Sequence, residues 1–264
     1  MKKTLIIIIG MQILRLNLLS AQTTSKDISC EMSYKTDSCS THKNCLKQLI
    51  LPVTLTGLGF IGLESDWMKY QNTEMRDELQ ENIDHRFSID DFSQYAPMLS
   101  VYALNLCGVK GKHNFLDRTV ILATSAFIMG TVTNGLKCTT KVMRPDGSSR
   151  NSFPSGHTAM AFMGAEFLRM EYKDVSPWIG VAGYAVATGT GFFRMYNNRH
   201  WLTDVLAGAG IGILSTKAAY WMFPSIKKHL YGKNNEKKNK TAMMASPFIS
   251  NEGKGLSFVL LFDK

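Results

Sequence analysis

The sequence predicts an all-α protein, a six-helix bundle expected to be membrane-embedded, with a short strand-like tail at its C-terminus. Two observations carry the bundle. Six apolar segments with helical character run along the 264 residues, over roughly 46–63, 94–109, 117–136, 155–171, 177–193 and 202–223. Most are rich in Gly, Ala, Ser and Thr, as in "GVAGYAVATGTG" and "LAGAGIGILSTKAA", and small residues at this density let helices approach closely. An apolar content of 45% with a mean hydropathy of -0.07 lies between soluble and polytopic membrane proteins. Several segments are also shorter than the ~20 residues that cross a bilayer, so a soluble bundle is the alternative.

Taken in order, the N-terminus "MKKTLIIIIGMQILRLNLLSAQ" has a basic start, an apolar stretch and the small residues Ser20–Ala21. That layout is a secretory signal peptide over 1–21. Arg15 and Asn17 interrupt the apolar run, which keeps an uncleaved anchor as the alternative. Residues 22–45 form a polar segment with Cys30, Cys39 and Cys45, two of which an oxidising compartment can pair. Their spacing does not match a zinc site. Cys107 and Cys138 lie in or beside apolar segments, where a buried thiol is expected.

The helical domain is placed at 46–224 and a basic tail at 225–264. The chain carries a formal +9, unevenly spread. Within residues 227–240 of the tail, Lys227, Lys228, Lys233, Lys237, Lys238 and Lys240 face a single Glu236, which reads as a solvated face. Without interleaved aromatics it implies no nucleic-acid partner. "GLSFVLLF" near the end reads as a short strand. Residues 64–91 run the other way, with Glu64, Asp66, Glu74, Asp77, Glu78, Glu81, Asp84, Asp90 and Asp91 against Lys69, Arg76 and Arg86.

Loop charge gives an orientation. The loops after the second and fourth segments and the tail hold Lys110, Lys112, Arg118 and the lysines; the loops on the other side include the acidic stretch. The positive-inside rule turns the acidic side outward. An exported N-terminus followed by a spanning first segment gives the opposite sense. The charge bias is weighted more, and the segment 46–63, interrupted by Pro52, is expected not to span fully.

Three clusters fall on the acidic side. In "KCTTKVMRP", Lys137 precedes Arg144 by seven positions. Two cations at that reach can clamp one small oxyanion, with arginine offering a planar fork. In "PSGH", Ser155 and Gly156 precede a helix beginning near His157. The N–H groups of a helix start point at an anion, and glycine lets the backbone come close. In "RMYNNRHWLTD", Arg194 adds a third cation, and His200 and Asp204 stand four apart on one helix face. A carboxylate there holds one ring nitrogen and leaves the other nucleophilic. Each cluster alone is commonplace, and Lys141, Arg150 and Arg199 read as surface or loop charges. The conjunction of three at segment ends on one side points to phosphate chemistry.

These motifs resemble the type 2 phosphatidic acid phosphatase (PAP2) superfamily, whose core is shared by class A acid phosphatases and vanadium haloperoxidases. The pattern Lys-x6-Arg-Pro, Pro-Ser-Gly-His, Ser-Arg-x5-His-x3-Asp is matched, and the likeness spans about 95–223. Phe193 stands where the third motif has serine. The resemblance implies His200 as nucleophile, Asp204 as its orienting partner and His157 as general acid and base. Lys137, Arg144, Ser155, Gly156 and Arg194 would hold the phosphate, with no metal or cofactor.

"YAPMLSVYALNLCGVKGKHNFLDR" and "RPDGSSRNSFPSGHTAMAFMGAEFLRMEY" further resemble the lipid A phosphatase branch of Bacteroides-type bacteria, which removes the 4′-phosphate of lipid A. A lipid substrate at the inner membrane, with the site facing the periplasm, is the expectation, and the acidic 64–91 stretch then reads as a rim over the headgroup. Undecaprenyl pyrophosphate, phosphatidic acid and phosphatidylglycerol phosphate are alternative substrates. A soluble periplasmic acid phosphatase, a vanadate-dependent haloperoxidase and a catalytically silent lipid-binding protein are the other readings.

Overall fold

The computed structural model describes residues 42–81, 88–231, 241–250 and 253–262. The expected leader at 1–21, Cys30, Cys39 and Lys233 to Lys240 of the tail lie outside these. Among the described residues are eight helices: α1 (His42–Glu64), α2 (Asp66–Glu81), α3 (Ile89–Ser93), α4 (Ala96–Leu106), α5 (Phe115–Thr140), α6 (Gly156–Tyr172), α7 (Pro177–Tyr196) and α8 (Leu202–Tyr231). Six match the apolar segments. The other two, α2 and α3, form in the acidic stretch, where charge hides the helical pattern. Strands β1 (Thr241–Ser250) and β2 (Gly253–Phe262) pair antiparallel; the sequence reading had only the second.

Helix α6 lies at the centre and packs against α4, α5, α7 and α8. Its residues are small where backbones meet. A Cβ on Gly212 of α8 would strike the backbone of Ala159 and Met163, and one on Gly208 the carbonyl of Ser155. Close approach of α6 and α8 therefore requires glycine at both positions. The core forms around Val101, Ile121, Phe167, Leu168 and Tyr172. Helix α6 also buries two carboxylates, and both are paired, as buried charge demands. Glu166 accepts from Arg169, Lys217 and Tyr184; Glu171 accepts from His113 and Tyr220, with Arg118 alongside at 3.5 Å.

Helix α5 buries one narrow stripe, Ile121, Ser125, Met129 and Thr133, at four-residue spacing. Its other faces expose Phe115, Leu116, Phe127 and Val132. It is, among the described residues, the helix long and apolar enough to cross a bilayer by itself. Only 22% of its apolar window is buried, unlike a soluble core helix. Pro52 sits inside α1 without ending it; instead the chain bends by 97° after Glu64, and Gln48–Glu64 with Asp66–Glu81 is long and apolar enough to span as a bent pair.

Three expectations are corrected. Helix α8 continues past 224 to Tyr231, and Lys227 pairs with Asp117 at 2.6 Å rather than extending as a free tail. Cys107 and Cys138 are exposed free thiols, because both sit at helix ends rather than in the core. Arg199 is more than the loop charge expected: it stands in the loop after α7, with its side chain 38% exposed, and it also lines the site.

Candidate active site

The three motifs meet at one end of the bundle, where α5 and α7 end and α6 and α8 begin. Their junction is held by the backbone. Ser155 N–H donates to the Asp204 carbonyl at 3.0 Å, and Ser152 N–H to the Val142 carbonyl at 3.0 Å. The Arg144 carbonyl accepts from Gly147 N–H at 3.0 Å in a turn where Gly147 takes φ 70°, a conformation glycine adopts without steric cost.

A cavity of about 360 Å³ opens here, lined by Arg144, His157, Arg194 and Arg199 together with Ser88, Asp90, Asp91 and Asn197. Arg144, His157 and Arg194 are thus brought together. Arg194, in the last turn of α7, is 7% exposed and is gripped by Asp90. Burial first, and then the Arg194 charge, pull the Arg144 guanidinium below its ordinary range. Cations so placed gain when an anion enters between them.

His200 does not line this cavity. It is 3% exposed and borders a separate narrow crevice with Asn72, Arg76 and Leu79 of α2. Its Nδ1 stands 3.4 Å from Asp204 Oδ2, so the i, i+4 pairing forms. Burial drives the His200 imidazole down to about 4, although the Asp204 carboxylate pulls it upward. It is therefore neutral near pH 7. Asp204 is fully buried; its Oδ2 also accepts from Ser152 Oγ and from Trp201 N–H at 2.9 Å, while its Oδ1 has no hydrogen-bond partner among the described residues.

Lys137 stays off the cavity wall and donates to the Asn151 carbonyl at 2.6 Å. Gly156 opens α6, and the place of its missing Cβ is empty space. Ser155 departs from expectation. Its hydroxyl is buried as the N-cap of α6, accepting from Thr158 N–H and meeting Thr158 Oγ1 at 2.9 Å, because a helix start needs that acceptor. Phe193 packs with Phe192 and Tyr196 instead of entering the cavity.

Four further residues escaped the sequence reading. Ser152 bonds Asp204, yet nothing marks it among the four serines between Arg144 and His157. Arg199 lines the cavity and pairs with Asp146 at 3.1 Å; its nearness to His200 in sequence was the available signal. Asp90 and Asp91 arrive from α3, and their signal was dissolved in a generally acidic stretch. Helix α2 closes the same end: Asn72 and Thr203 exchange two hydrogen bonds, and Gln80 donates to the Tyr196 carbonyl at 3.1 Å.

Residues 118–228 match the PAP2 superfamily, and this stretch is a PAP2 domain. It runs from the start of α5 almost to the end of α8 and holds all three motifs; Asp90 and Asp91 lie before it. Over 147 residues the chain is 41% identical to a lipid A 1-phosphatase of Porphyromonas gingivalis, covering 55% of this chain and 33% of that protein. Over 76 residues it is 33% identical to the bacitracin transport permease protein BcrC of Bacillus licheniformis, covering 29% and 36%. The matched stretches span about a third of either relative's length. Among solved structures, a transmembrane PAP2 type phosphatidylglycerolphosphate phosphatase from Bacillus subtilis aligns with a TM-score of 0.45 and 20% identity, over 67% of this chain and 98% of that one. Aquifex aeolicus LpxE aligns with a TM-score of 0.39 and 18% identity, over 70% and 98%.

Proposed function

We propose that the protein hydrolyses a phosphomonoester on a membrane lipid through a phosphohistidine. The observation that carries this reading is the convergence of Arg144, His157 and Arg194 on one cavity beside a buried, neutral His200 backed by Asp204. His200 attacks phosphorus through the nitrogen that Asp204 does not hold, and the ester P–O bond breaks. His157 gives its proton to the leaving oxygen, then takes one from the water that cleaves the phosphohistidine. Arg144, Arg194, Lys137 and the Gly156 N–H stabilise the charge on the transferring group, which calls for no metal. The Ser155 hydroxyl acts as a helix cap in this scheme.

Lipid A is the proposed substrate. The relative from Porphyromonas gingivalis supports it, and its name carries the 1-phosphate, whereas the sequence resemblance pointed to the 4′-phosphate. A membrane location with the site on the periplasmic face is part of the same proposal. The membrane location is supported by the apolar, outward-facing α5 and by exposed Trp178 and Trp221 on α7 and α8, since soluble monomers rarely leave such surface uncovered.

The test offers lipid A, undecaprenyl pyrophosphate and p-nitrophenyl phosphate to the full chain and to His200→Ala, with chelator present. Mass spectrometry of the lipid product reads which phosphate has left. Chelator-resistant release from lipid A, abolished in the variant, is expected. Release that survives loss of His200 overturns the mechanism, and release from the aryl ester alone overturns the substrate.

A further inference from the structure

Two carboxylates from α3, outside the PAP2 domain, enter the cavity, and they differ in kind. Asp90 is buried, with its oxygens on Arg194 Nη1 and Asn197 Nδ2. It is the fixed counter-ion of a buried guanidinium, which without a partner would be costly. Asp91 is half-exposed, and one oxygen does two things: Oδ1 lies 3.1 Å from His157 Nε2 and 3.4 Å from Arg194 Nη1. The His157 ring is so held on one nitrogen, and its Nδ1 makes no hydrogen bond to the described residues.

The charge around His157 gives this contact its meaning. Arg194 from α7 and Arg144 and Arg199 from the loops line the same cavity. The guanidinium of Arg194 opposes a further positive charge on the ring, and a general acid has to carry that charge when the ester arrives. Asp91, with Asp90 behind it, supplies the opposing carboxylates. We propose that Asp91 is a positioning residue for His157, holding the ring and favouring its protonated form, so that the site contains two carboxylate–imidazole pairs. Asp204 serves the nucleophile and Asp91 serves the acid. The inference rests on the mechanism proposed above. In the first step the ester P–O bond breaks, the proton on His157 passes to the leaving oxygen, and neutral His157 stays hydrogen-bonded to Asp91. In the second step a water proton returns to His157 as the water oxygen bonds phosphorus and His200 departs.

Leaving-group dependence separates positioning of an acid from a general loss. The 4-nitrophenolate of p-nitrophenyl phosphate departs without a proton, whereas the alkoxide of n-decyl phosphate requires one. The full chain, Asp91→Asn, Asp91→Glu and His157→Ala are compared on both esters. His157→Ala sets the scale by losing far more on the decyl ester. Asp91→Asn is expected to show the same bias, its loss on the decyl ester about tenfold larger than on the aryl ester. The alkaline limb of its kcat/KM profile on the decyl ester moves to lower pH, and Asp91→Glu recovers part of both effects. Equal losses on the two esters, or a gain on both, overturn the inference while His157→Ala still shows its bias. If His157→Ala shows no bias, the mechanism itself falls and this inference with it.

Discussion

The backbone N–H of Ser155 donates to the carbonyl oxygen of Asp204 at 3.0 Å. These residues stand 49 positions apart, and the bond fastens the first residue of the α6 cap to the helix that carries the His200 partner. Ser152 adds a side-chain bond to Asp204 from the same loop. The loop between α5 and α6 is thereby registered against the start of α8, and His157 and His200 inherit a common frame.

Ser152→Ala tests that frame. The substitution removes a donor from a fully buried carboxylate that already has one oxygen without a hydrogen-bond partner among the described residues. A destabilisation of about 1–3 kcal/mol is expected, together with a fall in kcat larger than any change in KM. Thermal melts and steady-state kinetics read the two effects, and unchanged values for both would remove Ser152 from the site.

The His200 ring is expected to titrate near 4. Because its folded value lies below the ordinary 6.5, the unfolded chain binds the proton first as pH falls. Stability from this group is complete above about 6.5 and is lost as pH drops towards about 4. Ring-carbon NMR shifts of histidine-labelled protein follow the titration directly. A midpoint near 6.5 would contradict the burial described here.

Gly208→Ala and Gly130→Ala form a matched pair. A Cβ on Gly208 meets the Ser155 carbonyl, whereas one on Gly130 meets nothing within 4 Å. The first should lose roughly 1–3 kcal/mol by overpacking and lower activity by displacing the Ser155 turn. The second should be neutral or gain up to about 1 kcal/mol from better helix propensity. Chemical denaturation decides, and equal effects at both sites would refute the close packing of α6 on α8.

Arg199→Ala should weaken phosphate binding while leaving the chemistry intact, since Arg199 lines the cavity but already shares its charge with Asp146. A rise in KM of several-fold with kcat nearly constant is expected for loss of uniform binding. A large fall in kcat would place Arg199 in the transition state instead.

The helical class, the six apolar helices and the three motif clusters were determined by sequence alone. Each is local: apolar periodicity makes the helix, and the His200–Asp204 spacing puts both side chains on one face whatever surrounds them. The tertiary structure decided which polar side chains meet across the chain. Asp90 and Asp91 lie more than a hundred positions from Arg194, and in the sequence they are two acids among many; only the packing of α3 against α7 makes them its counter-ions. Ser155 was read as a phosphate ligand from its motif, but the cap of α6 claimed its hydroxyl. Burial, too, was a tertiary decision. His200 is neutral because the fold removes water from it, and desolvation depends on neighbours that no local pattern specifies.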